Sequence, residues 1–169
     1  LLDEVSSIVE WPVALVGSFE ERFLDVPPEA IMTAMKQHQR CFPIFNTAGK
    51  LLPQFITVSN IESKNAEEVI KGNERVIRAR LSDAEFFYQA DTKHSLMTFA
   101  EKLSSVVFQR KLGTMAEKTQ RITALATYIA KQLGEKNNHT QQAAVLAKAD
   151  LLTAMVGEFP ELQGIMGCY

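Results

Sequence analysis

Glu67-Glu68-Val69-Ile70-Lys71-Gly72-Asn73-Glu74-Arg75-Val76-Ile77-Arg78-Ala79-Arg80-Leu81-Ser82-Asp83-Ala84-Glu85-Phe86-Phe87-Tyr88 is the stretch that decides the fold. Within it Ile70, Ile77, Leu81, Ala84 and Tyr88 recur at separations of 7, 4, 3 and 4 residues, which is one apolar stripe of a helix. The spacing predicts a long helix from about 66 to 90, broken by Asp91-Thr92-Lys93-His94. At about 100° per residue, Lys71, Arg75 and Arg78 gather on a different face of that helix. The pattern before it contains strands, and the pattern after it is helical.

On the N-terminal side, Ile8 to Phe19 is rich in β-branched and aromatic residues, and Pro12 within it marks a strand start or an edge strand. Val26-Pro27-Pro28-Glu29 is a helix-entry signal, and the helix it opens is predicted to run to about Arg40 with Ile31, Met35 and His38 on one side. Cys41 to Phe45 and Phe55 to Ser59 read as short strands. Asn46-Thr47-Ala48-Gly49-Lys50 supplies the turn between them, so a hairpin is expected.

On the C-terminal side, one helix is predicted to take in Phe99, Leu103, Val106 and Val107 and to stop at Gly113. Thr114 with Glu117 forms a capping-box signature for the next helix, whose apolar stripe is Ile122, Leu125, Ile129 and Leu133 before Gly134. Lys136 to Thr140 reads as a polar loop. Gln141 to about Val156 is apolar almost all round, as in a helix at the middle of a bundle. The fold class is therefore α+β, with a mixed α/β part over 1–65, a connecting helix over 66–92 and a helical part over 93–169.

The composition is that of an ordinary globular chain. It has 169 residues, 46% hydrophobic and 22% charged, with 18 basic and 20 acidic side chains. That balance lacks the basic excess of a strong nucleic-acid binder. No run of about 18 apolar residues occurs, so no transmembrane helix and no membrane partner are expected. Two lone cysteines, Cys41 and Cys168, suit a reducing cytoplasm better than a disulfide framework. The ends, Leu1 and Tyr169, read as cuts inside a longer protein.

Candidate chemistry is sparse. Lys148 and Asp150 interrupt the most apolar helix, and a buried Asp needs a donor, a metal or a basic partner. A structural carboxylate bonded to backbone amides or a nearby base is the favoured reading. The alternative is a helical metal phosphohydrolase of the HD type, which needs a His-Asp dyad. The three histidines precede Gln39, Ser95 and Thr140 instead, and the corresponding place reads Lys148-Ala149-Asp150. A protonated lysine has no lone pair for a metal, so no metal site and no catalytic residue are assigned. Lys71, Arg75 and Arg78 are candidate RNA-phosphate contacts. Against them stands a solvated face with Glu68–Lys71 and Glu74–Arg78 pairs. Arg110, Lys111, Lys118 and Arg121 form a second, sparse basic set. Glycine-rich phosphate loops, GxSxG and HExxH are absent from the sequence.

Several segments together resemble the beta subunit of the bacterial, heterotetrameric glycine–tRNA ligase. They are Glu10-Trp11-Pro12 with Gly17 and Phe19; Met35 to Arg40; Phe55 to Asn60; Gly72 to Val76; Arg78 to Phe87; Lys111 to Met115; Lys148 to Leu151; and Glu158 to Gly164. Their order along the whole chain makes the resemblance specific. It implies an N-terminal part similar to the end of a B3/B4 module, followed by the start of an HD-like helical domain that lacks the dyad. It also implies a cytoplasmic α2β2 assembly for ATP-dependent attachment of glycine to tRNA. In that assembly the alpha subunit holds the active site with ATP and Mg, and the beta subunit handles tRNA and holds the assembly together. As an isolated piece, the chain is then expected to be inactive, with a non-catalytic helical interaction module as a further alternative.

Overall fold

A computed structural model describes residues 1–135 and 138–169; Lys136 and Asn137, part of the expected polar loop, lie outside the described residues. The described chain forms two compact units, Leu1–Phe86 and Phe87–Tyr169. Helix and antiparallel sheet occur together, so the class is α+β as the sequence predicts.

The first unit is built on a three-stranded antiparallel sheet of order β1-β3-β2, with β1 at Val13–Ser18, β2 at Phe42–Phe45 and β3 at Leu51–Ser59. Pro12 immediately precedes β1, and β1 is an edge strand, so the missing N–H costs the ladder nothing. The β2–β3 hairpin turns where the sequence places it. There the Asn46 side chain accepts the N–H groups of Ala48 and Lys50 at 3.0 and 2.8 Å. Gly17 pairs with Phe55 across β1 and β3. A Cβ at Gly17 would lie 2.5 Å from the Phe55 ring, so only glycine lets that fully buried ring cross the edge strand.

Helix α1, Leu2–Ile8, has no counterpart among the elements the sequence predicts, where the β-branched run from Ile8 towards Pro12 is the only local signal. Its first turn carries Asp3 and Glu4, the charge favoured at a helix N-terminus, and it buries Val5. The predicted 29–40 helix is shorter than expected. Regular helix α2 covers Pro28–Thr33 and a π-helical turn follows over Ala34–His38. Ile31 and Met35 are buried as predicted, but the wider turn carries His38 to the exposed side. Arg40 then ends the segment in a left-handed conformation, with φ 52°. Helix α3 spans Ala66–Asp91 and buries Ile77, Leu81 and Ala84 from the predicted stripe. With Phe23, Ile31, Met35 and Phe55 these make the core of this unit. Burial raises the pKa of the Cys41 thiol against the opposing hydrogen bond from Thr57, which leaves it an inert packing residue.

The second unit departs further from prediction. The helix expected through Val107 is short: α4 covers Leu96–Glu101, a 3-10 turn covers Lys102–Ser105, and a hairpin follows, β4 at Val107–Gln109 and β5 at Gly113–Thr114. Val106-Val107-Phe108 is β-branched and aromatic, and that local preference prevails over the apolar spacing that suggested a helix. Helix α5, Met115–Gln132, opens with the predicted capping box: Thr114 Oγ1 accepts the Glu117 N–H, and the Thr114 N–H donates to Glu117 Oε2 at 2.6 Å. The predicted stripe of α5 is largely uncovered, with Leu125, Ile129 and Leu133 exposed; Met115 and Thr119 are buried instead.

The apolar run Gln141 to Val156 does not form one central helix. Helix α6 covers His139–Leu146, a 3-10 turn Ala149–Leu152, and α7 Ala154–Glu158. The cause is polar. Thr153 caps α7 by accepting the Val156 N–H at 3.2 Å, and its hydroxyl donates to the Asp150 carbonyl at 2.7 Å. Asp91 accepts the Ala154 and Met155 N–H groups at 2.9 and 2.8 Å. Side chains that bond backbone this way compete with helix continuation. Leu103, Met155, Phe159 and Leu162 form the core around this turn.

Two stability outcomes follow. Gly17→Ala should destabilise the chain by ~1–3 kcal/mol in urea unfolding, the usual cost of overpacking; an unchanged midpoint would refute the Phe55 contact. Thr114→Ala should lower the melting temperature by roughly 2–4 °C through loss of the cap. The Thr114 backbone N–H, then its hydroxyl, hold the Glu117 carboxyl below the ordinary carboxylate range. A depressed folded-state pKa gives stability that is present above the unfolded-state pKa and lost as pH falls through the folded-state value. Glu117→Gln should therefore flatten the acid limb of a melting-temperature-against-pH profile, and an unaltered limb would contradict the cap.

Candidate nucleic-acid interface

The candidate site is the exposed side of α3, and its geometry is set by what holds the adjoining face. Glu74 Oε1 accepts both the N–H and the hydroxyl of Ser18, at 2.8 and 3.0 Å, at the end of edge strand β1. Arg78 Nε meets Glu20 Oε1 at 2.7 Å, and Arg22 meets Glu85 at 2.6 Å. Glu74, Arg78 and Glu85 lie within a narrow angular range at helical spacing, together with buried Leu81. One face of α3 is therefore fastened to the segment Ser18–Arg22.

This arrangement sorts the three predicted cations. All three are exposed, and the structure brings them onto neighbouring turns. Lys71 pairs with Glu68 at 3.3 Å, as the spacing predicts. The expected Glu74–Arg78 pair does not form, because each partner is drawn to the 18–20 segment instead. Arg75 makes no ion pair among the described residues. It is the cation that could meet a phosphate without surrendering a carboxylate. Lys71 would give up an exposed pair that contributes little, and Arg78 one that also orients the helix. Ser18, Glu20 and Glu85 carry no sequence signal for this role, since their partners lie 56 to 63 positions away.

The second pair of singled-out charges lies elsewhere. Asp150 is buried, and its Oδ2 accepts the N–H groups of Gly164 and Gly167, the latter at 3.2 Å. Its other oxygen has no hydrogen-bond partner among the described residues. Lys148 is half-buried and forms no ion pair with Asp150. Among the described residues no group of three or more His, Cys, Asp or Glu is placed to hold a metal ion. Among the described residues no helix is long and apolar enough to cross a membrane.

Substitutions separate the fastening from the exposed cation. Glu74→Ala should cost ~0.5–1.5 kcal/mol by removing the acceptor of two exposed Ser18 hydrogen bonds. Arg75→Ala should leave stability within about 0.5 kcal/mol, as for an exposed side chain without partners. Equal losses in urea unfolding would contradict this assignment.

Comparisons with known proteins point to one family. The family model described as glycyl-tRNA synthetase beta subunit matches residues 1–169. The glycine–tRNA ligase beta subunit of Chromohalobacter salexigens is 59% identical over all 169 residues. Those of Pseudomonas aeruginosa and Psychromonas ingrahamii are each 56% identical over the same span. In each case the match covers the whole of this chain and 25% of the relative, so the chain spans a quarter of the length of these proteins.

Proposed function

The chain belongs to the glycyl-tRNA synthetase beta-subunit family, and from that premise we propose that it serves the attachment of glycine to tRNA by positioning the RNA and by assembly. The observation that carries this reading is the family match along every residue, at more than half identity to proteins named glycine–tRNA ligase beta subunit. The catalytic steps, with ATP and Mg, are assigned to an alpha subunit in a cytoplasmic α2β2 enzyme. Residues 93–169 are read as the start of an HD-like helical domain used as scaffold.

Positioning alone is a substantial contribution to rate. Holding two reactants in register converts an encounter between molecules into a step within one complex. Arg75 is assigned the leading phosphate contact, with Lys71 and Arg78 beside it. Their guanidinium and ammonium groups need no sequence readout for this, because phosphate contacts fix register rather than specify bases. The assembly role is supported by α5, whose Leu125, Tyr128 and Ile129 remain exposed, as does Leu133 just after it. The near-neutral charge of the chain, 18 bases against 20 acids, fits a few placed contacts better than a broad electrostatic grip.

The test is tRNA binding by the whole enzyme across a series of salt concentrations. Replacing Lys71, Arg75 and Arg78 by Ala should weaken binding and flatten the salt dependence, with a slope loss of about 0.7–0.9 per phosphate contact removed. Arg75→Ala alone should produce most of the change. Binding and slope identical to the unaltered enzyme would refute the phosphate role.

A further inference from the structure

The β4–β5 hairpin has no part in the reading of α3, yet its surface is unlike the rest of the chain. Gln109-Arg110-Lys111-Leu112 is its turn, closed by the Leu112 N–H on the Gln109 carbonyl at 2.9 Å. The Gln109 side chain also accepts the Lys111 N–H at 2.9 Å, so Arg110 and Lys111 stand at the two central positions of a braced tip. Gly113 has φ 86°, and a Cβ there would fall 2.0 Å from a Glu117 oxygen, so the tip is tied to the α5 cap. Arg121 adds a guanidinium bond to the Leu112 carbonyl at 3.1 Å. Beside this tip Val107 is 69% exposed, Leu112 54% and Phe108 38%, three apolar side chains left to solvent on one small element. The Lys118 ammonium lies 3.7 Å from the centre of the Phe108 ring.

Charge is concentrated here. Residues 110–121 hold four bases, Arg110, Lys111, Lys118 and Arg121, and one acid, Glu117, whose carboxylate is already engaged by Thr114. Removing those from the totals of 18 and 20 leaves 14 bases and 19 acids elsewhere, so this stretch is basic within an otherwise acidic chain. Arg110 and Lys111 have no acidic partner among the described residues.

We propose that this hairpin is a docking point for unpaired nucleotides of RNA, with phosphates held by Arg110 and Lys111 and a base laid against Phe108. The proposal deepens the RNA-positioning reading and rests on it. A duplex would satisfy the cations alone, because its base faces are stacked inside the helix; unpaired nucleotides offer phosphates and base faces together. An acidic protein surface would answer the charge but leave the exposed part of the Phe108 ring, one face of which already carries the Lys118 ammonium, without a flat partner. The bracing of the tip reduces what must be ordered on binding.

The experiment uses the whole enzyme and three labelled probes: a single-stranded RNA octamer, an RNA duplex containing that octamer, and the tRNA. Phe108→Ala should weaken the octamer by ~10-fold, Phe108→Trp should retain its binding, and neither should alter duplex binding. Because Phe108 is part-buried, Arg110→Gln with Lys111→Gln at the exposed tip is the second variant; it should weaken octamer and tRNA and flatten their salt dependence. Octamer binding unchanged in both variants, or absent in the unaltered enzyme, overturns the proposal. So does a drop in sedimentation coefficient with RNA affinity preserved, which would assign the hairpin to a protein contact. The two readings separate cleanly. Loss of tRNA binding on altering Lys71, Arg75 and Arg78, with none on altering the hairpin, removes only the hairpin. The reverse removes the α3 contacts and leaves RNA positioning in place, and no effect from either set removes both.

Discussion

The carboxylate of Glu74 on the backbone and hydroxyl of Ser18 is the contact on which the first unit turns. It closes the open end of an edge strand, whose unpaired N–H would otherwise remain a liability. Its position agrees with the rotation of α3 that burial of Ile77, Leu81 and Ala84 favours, which leaves Arg75 exposed. Glu20 and Glu85 then find Arg78 and Arg22 within reach. Exposed ion pairs of this kind contribute little individually, so their value here is in orientation. The electrostatics of the exposed face are thus tied to the contacts of the adjoining face of the same helix, with Arg78 at the border of the two.

The second unit is shaped by a comparable rule. Its most apolar sequence would form one helix if burial were the only consideration. Three polar side chains, Asp91, Asp150 and Thr153, instead bind backbone amides around the turn at 149–152. An acid buried without donors would cost several kcal/mol, so Asp150 compels the Gly164–Gly167 segment to fold back and supply N–H groups. The break between α6 and α7 is the structural result. The same acid that suggests metal chemistry in the sequence is here an organiser of backbone.

What the sequence discloses follows the reach of each signal. The length of α3, the Asn46–Lys50 hairpin, Pro12 before β1 and the Thr114–Glu117 cap are all local, and all are legible. Short elements are not. Helix α1 has seven residues and one buried side chain, too few for a period to emerge. Val106 to Phe108 satisfies a helical spacing and a strand preference at once, and the hairpin prevails. The exposed stripe of α5 shows the opposite failure: periodicity reveals that a face is apolar, not that this chain covers it. For the candidate site, Lys71, Arg75 and Arg78 are visible as a helical face. Their ranking is not, because it depends on Ser18 and Glu20, more than fifty positions away. The proposed role in glycine–tRNA ligation rests on resemblance and family membership alone, since no motif of activation chemistry occurs in the sequence.

Cross-linking of tRNA to the assembled enzyme, with the attachment sites mapped by mass spectrometry, addresses the central claim most directly. RNA positioning by this part of the subunit predicts cross-links within residues 1–169, concentrated around Arg75 on the exposed side of α3. Cross-links confined to other parts of the enzyme, with none in these residues, would contradict it.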